Sequence, residues 1–101
     1  MYAISIELNH DTLIKTYQSE IYINAYNDIK KILKSYNFDD KGSVYFGDKN
    51  VDAIDCVIAI QELTNLFPWF SASVQDIKML RIEEITDLRK VVDKELSKKT
   101  K

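Results

Sequence analysis

Hydrophobic and polar positions alternate at once. In Tyr2-Ala3-Ile4-Ser5-Ile6-Glu7-Leu8-Asn9, Ile4, Ile6 and Leu8 share one parity, and Ala3, Ser5, Glu7 and Asn9 the other. That period of two predicts a half-buried strand. Between Ser19 and Tyr36 the spacing changes to threes and fours, through Tyr22, Tyr26, Ile29, Leu33 and Tyr36, which predicts an amphipathic helix capped by Asp11 or Ser19. Phe38 to Phe46 reads as extended, with Gly42 as a turn or bulge inside it. Gly47 to Asn50 is a loop with Asn50 as a helix cap. Ile54, Val57, Ile60, Leu63 and Phe67 then form a second helical stripe that Pro68 ends. Val74 to Ile82 alternates again, and Ile85, Leu88, Val92 and Leu96 mark a last helical face.

This order predicts an α+β fold of split βαβ connectivity: an antiparallel sheet, two helices on one face, and a C-terminal amphipathic helix. Helices on one face leave the other open. Ile4/Ile6/Leu8, Val44/Phe46 and Ile77/Met79 are expected to face the helices. Ser5, Glu7, Ser43, Tyr45, Asp76 and Lys78 are expected on the open face, subject to the register at Gly42. Such a face is solvated, covered by a partner, or used; pairing through it would bring Glu7 near Glu7 of a second copy.

Composition narrows the classes. A chain of 101 residues makes one domain, 1–101, with a frayed lysine-rich end at 98–101. The net charge of −2 argues against broad electrostatic capture of nucleic acid. The charge is uneven, however: residues 1–77 hold 6 Lys/Arg against 11 Asp/Glu, and residues 78–101 hold 8 against 5. The single cysteine, Cys56, excludes an internal disulfide and a cysteine zinc site, and reads as buried packing in a reducing, cytoplasmic setting. No run reaches membrane-spanning length.

Several segments together resemble the VapD proteins, the virulence-associated toxins of bacterial toxin–antitoxin systems. They are Met1-Tyr2-Ala3-Ile4 with Glu7, Tyr26-Asn27-Asp28-Ile29, Gly42-Ser43-Val44-Tyr45, and Trp69-Phe70 followed by Val74-Gln75-Asp76-Ile77. The resemblance runs in order across residues 1 to about 90. It implies a modified ferredoxin-like fold, a homodimer, endoribonuclease activity on RNA and a cognate antitoxin. The family is also similar in fold to the small CRISPR-associated nuclease, where an aspartate at the end of the first strand faces its mate across the dimer. The family pattern implies Glu7, Ser43 and Asp76 as the catalytic set, with Leu13 shaping the site. It has aspartate where this chain has Glu7, so the carboxylate here stands one methylene, about 1.5 Å, farther out.

Each group has two readings. Glu7 can act as general base on a ribose 2′-hydroxyl or bind Mg²⁺ together with Glu7 of a second copy. Asp76 can share the metal or orient Glu7, or simply pair with Lys78 or Lys41. Ser43 can donate to the scissile phosphate, or be an ordinary edge residue. His10, the only imidazole, is a general acid–base candidate or a surface residue. Tyr45 and Tyr2 can stack on bases or pack in the dimer seam, and Lys41, Lys49, Lys78 and Arg81 are the cations for phosphate. The competing function is a dimeric RNA-binding module without chemistry.

Overall fold

A computed structural model describes residues 1–17 and 22–99. Four strands, β1 (Tyr2–Leu8), β2 (Phe38–Lys41), β3 (Val44–Gly47) and β4 (Val74–Arg81), form one antiparallel sheet in the order β2-β3-β1-β4. Helices α1 (His10–Thr16), α2 (Ile23–Ser35), α3 (Ala53–Leu66) and α4 (Pro68–Ser73) connect the strands, and α5 (Arg89–Lys99) follows the last one. The expected α+β, ferredoxin-like architecture is present, with the C-terminal helix. Among the described residues no helix is long and apolar enough to cross a membrane.

Local chemistry explains where the boundaries fall. The amphipathic helix expected between Ser19 and Tyr36 is α2, and the stretch back to the alternative cap at Asp11 forms a separate element, α1. Asn9 caps α1, its side chain accepting from the Thr12 backbone N–H at 2.9 Å, so the helix begins one residue before Asp11. The alternative cap at Ser19 lies outside the described residues. Asn37 takes the left-handed conformation just past α2, with φ 69°, where a short polar side chain tolerates it. Asp52, not Asn50, caps α3 in a reciprocal capping box with Asp55, at 2.9 and 3.0 Å. Pro68 stops α3 as expected but also opens α4, because its missing N–H costs nothing in a first helical turn. Lys98 and Lys99, expected to fray, complete α5; residues beyond them lie outside the described set.

The core lies between the sheet and the helices. Ile4, Ile6 and Leu8 from β1 meet Leu13, Ala25, Ile29, Leu33, Cys56, Ala59, Leu63, Trp69 and Phe70. Cys56 is buried as expected, and burial pushes its thiol up. The buried face of α3 is Cys56, Ala59 and Leu63, however: Ile54 and Val57, expected in the apolar stripe, are exposed because the helix is apolar on both sides. Gly47 fits because a Cβ there would lie 2.8 Å from Val51 and 3.0 Å from the Tyr2 carbonyl.

The β2–β3 hairpin overturns part of the expected parity. Lys41 pairs with Val44, so Gly42 and Ser43 are a two-residue turn, with Gly42 at φ +71° in the first central position. The partner lists then fix the faces: Ile4 opposes Tyr45, Ala3 opposes Phe46, and Ser5 opposes Val44. Tyr45 is therefore a core residue, 4% exposed, and stacks on nothing outside. Val44 and Phe46 take its place on the open face. A two-residue turn leaves an even offset between its flanking strands, and that offset sets the parity. Tyr2, on the same parity as Ile4, also packs against the core.

Burial, reinforced by Asp40 and then Tyr26, pushes the Tyr45 hydroxyl up to about 12. In the unfolded chain tyrosine ionises near about 10. Between these values the folded state holds more protons, so stability falls as pH rises through that window and is untouched below it. Urea midpoints are expected to fall between about pH 9 and about pH 11.5, and to fall less in Tyr45→Phe. An identical pH slope in the two proteins would contradict this account of Tyr45.

Candidate active site on the open sheet face

β1 delivers Glu7 to the open face at the strand's C-terminal end. The register with β4 sets Glu7 directly opposite Asp76 and Ser5 opposite Lys78. Two like charges face to face in a sheet repel one another. Each carboxylate is correspondingly engaged. The Lys78 ammonium closes on Asp76 from two residues along the same strand, and Gln75 Nε2 donates to Glu7 Oε1 at 3.1 Å.

Gln75 reaches Glu7 because of an irregularity. Glu7 pairs with Asp76 but Leu8 pairs with Val74, so Gln75 is an extra residue bulged out of β4. A bulge of this kind re-aims a side chain that strict alternation would send to the opposite face. The Asn9 amide donates to Gln75 Oε1 at 3.4 Å, the Asn9 backbone N–H donates to the Ser73 carbonyl at 2.7 Å, and the other end of the Asn9 amide caps α1. A chain of contacts thus runs from the α1 N-terminus through Gln75 to the carboxylate. The sequence holds a trace of this: Val74, Ile77 and Met79 are spaced three then two, a break in alternation that marks the bulge.

Ser43 belongs here too, though it is a turn residue and not a strand residue. Its carbonyl accepts from the Ile6 backbone N–H at 3.1 Å, which seats the Gly42-Ser43 turn beside β1 next to Glu7. Glu7, Ser43 and Asp76 are therefore gathered at one end of the sheet, on three neighbouring segments. Lys41 shares the parity of Val44 and flanks this end from the edge strand.

Other candidates are placed elsewhere. Arg81 opposes Tyr2, so it lies at the far end of β4 and on the helix-side parity; there it pairs with Glu83 at 3.8 Å. It is five residues from Asp76, about 16 Å along a strand. Leu13 is fully buried in α1 among the core residues, so it does not line the open face. His10 opens α1 with its ring about 6 Å from those of Tyr22 and Tyr26. Lys49 is exposed in the loop after β3. The other end of the open face is apolar, with Ala3 held between Phe46 and Leu80. A cavity of about 680 Å³ lined by Met1, Asn37, Phe46, Gly47 and Ile85 opens at that end and runs along β2 as far as Lys41.

The donor set for a metal is small. Among the described residues no three His, Cys, Asp or Glu side chains cluster. Glu7 and Asp76 are two opposed carboxylates, which matches the one or two that Mg²⁺ takes from a protein when waters complete its shell.

No protein-family model matches the sequence. Individual relatives do. The chain is 45% identical over 89 residues to a Riemerella anatipestifer protein named endoribonuclease VapD 2, covering 87% of this chain and 95% of that one. It is 38% identical over 92 residues to a Helicobacter pylori endoribonuclease VapD homolog, covering 87% and 92%. A Dichelobacter nodosus endoribonuclease VapD is 37% identical over 93 residues, covering 91% and 97%. The chain belongs to the VapD family.

That membership agrees with the resemblance carried by the GSVY and WF segments, and both segments have clear places in the fold. Gly42-Ser43-Val44-Tyr45 is the hairpin turn with one core anchor. Trp69 and Phe70 are the buried aromatic residues of α4, whose last residue, Ser73, is also buried and receives Asn9. In this VapD chain the two segments therefore converge on the ends of β1 and β4 that carry Glu7 and Asp76.

Proposed function

We propose that this protein is an endoribonuclease whose reacting group is Glu7, with Asp76 and Ser43 beside it. The observation that carries the reading is the convergence at one sheet end of an exposed carboxylate, its opposed partner and a bulge that orients it, in a chain whose relatives are named endoribonucleases. Glu7 takes the proton of a ribose 2′-hydroxyl. The 2′-oxygen bonds to the adjacent phosphorus, the bond to the 5′-oxygen breaks, and that oxygen takes a proton from water. The Lys78 ammonium and the Ser43 hydroxyl hold phosphate oxygens, and Lys41 holds the neighbouring backbone. Mg²⁺, when bound, would be held by Glu7 and Asp76 and would supply a Lewis acid to the phosphate.

The protein works as a homodimer in the cytoplasm, restrained by a cognate antitoxin. The homodimer and the antitoxin both rest on the family resemblance. The test is incubation of the purified protein with single-stranded RNA, with Mg²⁺ and with chelator, read on a denaturing gel. Cleavage is expected; RNA shifted on a native gel but intact would favour the binding module instead.

Gln75 acts on Glu7 as a positioning residue. Losing a hydrogen bond to a charged group costs about 1.5–3 kcal/mol, so Gln75→Leu is expected to lower kcat about 10- to 100-fold. KM and the thermal midpoint should stay put, since Gln75 is exposed. A loss confined to KM would remove it from this role.

A further inference from the structure

The C-terminal helix has a formed apolar stripe that the other described residues leave exposed. Leu88, Val91, Val92 and Leu96 are each more than half exposed, and α5 has no buried residue. The chain is correspondingly extended: its radius of gyration is 16.9 Å, where a compact domain of 100 residues has about 13 Å. An eleven-residue helix this short does not hold itself in water; packing of its apolar face has to hold it.

A matching surface exists on the same chain. On α3, Ile54, Val57 and Ile58 are exposed at helical spacing, 66%, 52% and 42%. Beside them a groove of about 270 Å³ runs between α3 and the edge strand β4, lined by Val57, Ile60, Ile77 and Met79. Charge distinguishes the two surfaces. Around α3, residues 50–66 contain no lysine or arginine and three acids, Asp52, Asp55 and Glu62; Lys78 is the cation that lines the groove from β4. Helix α5 carries five cations, Arg89, Lys90, Lys94, Lys98 and Lys99, against Asp93 and Glu95.

We propose that α5 of one copy docks on the α3–β4 groove of a second copy, and that the exchange is reciprocal. Because both halves of the joint are on one chain, two copies related by a two-fold axis make the contact twice and close the assembly. A basic apolar stripe meets an acidic apolar face, so the contact is complementary in both hydrophobicity and charge. The extended residues between Arg81 and Arg89 are the arm that crosses. This interface lies on the helix side of the sheet and does not rest on the RNA-cleaving reading or on a seam across the open face.

The test uses the full chain with Val57→Cys and Val92→Cys together, beside each single variant, oxidised mildly at micromolar concentration and run on a non-reducing denaturing gel. Both positions are exposed, so the fold tolerates the changes. Cys56 is buried and does not compete. The double variant is expected to run at twice the chain mass, and neither single variant is. A disulfide at unchanged mass would mean that the helix folds back on its own chain. A doubled band from Val92→Cys alone would mean that the helices pair with each other, and no cross-link at all would mean that another partner covers them. Each of these overturns the exchange. Independently, Val57→Asp is expected to raise the dimer dissociation constant about 10³-fold, because a central apolar anchor worth about 30-fold is lost at both contacts; an unchanged constant would contradict the proposal.

Discussion

Phe70→Ala is expected to destabilise the fold by about 3–5 kcal/mol, the usual cost of emptying a buried aromatic site. Phe70 is 2% exposed and sits in a helix of only six residues. Trp69, its neighbour, is held edge-on by Tyr17 and stacked by Phe67, at ring separations of 5.3 and 5.0 Å. The helix therefore cannot slide to fill the space without breaking this cluster. Domains of this size hold about 5–15 kcal/mol in all, so the variant should lose about a fifth or more of its stability. Urea unfolding gives the number; a loss under about 1 kcal/mol would mean that α4 repacks freely. Activity should suffer at temperatures where the fold still holds, because Ser73 at the end of α4 receives Asn9, and Asn9 orients Gln75.

Glu7→Gln is expected to reduce RNA cleavage by about 10² to 10⁴, the contribution of a general base. The amide keeps the shape and can still meet Gln75, but it cannot accept the 2′-hydroxyl proton. Stability should stay within about 0.5 kcal/mol, because Glu7 is exposed. Glu7→Asp separates two views of the longer side chain. If the site had been built for aspartate, shortening would raise the rate. Here Gln75 meets the carboxylate at 3.1 Å, so drawing it back by about 1.5 Å breaks that contact. The aspartate variant is expected to be slower than the natural protein by about tenfold, and a faster one would contradict the role given to Gln75.

Much of the frame was legible in the sequence because period and burial coincide there. Ile4, Ile6 and Leu8 alternate and are core; Asp76 and Lys78 share the parity of Glu7 and Ser5, and the register confirms it. The hairpin was not legible, because Gly42 serves a bulge and a tight turn equally well. Only the pairing of Lys41 with Val44 decides between them and sends Tyr45 inward. Tyr45 misleads for a further reason: an aromatic with a polar tip suits a surface and a core alike. Arg81 was placed by charge, which says nothing about which end of a strand is near a site. Gln75 escaped notice because its orientation comes from a bulge, and the only local sign was the three-then-two spacing of Val74, Ile77 and Met79. The stripe on α5 was read correctly as one helical face, and it lies exposed among the described residues.

The central claim is that the open-face carboxylate at the end of β1 cleaves RNA. The most direct measurement is single-turnover cleavage of one end-labelled single-stranded RNA by the natural protein and by Glu7→Gln, with RNA binding recorded on the same samples. Equal binding is expected, with rapid product from the natural protein and a rate at least about a hundredfold lower from the variant. Equal rates from the two proteins would take Glu7 out of the reaction and contradict the account.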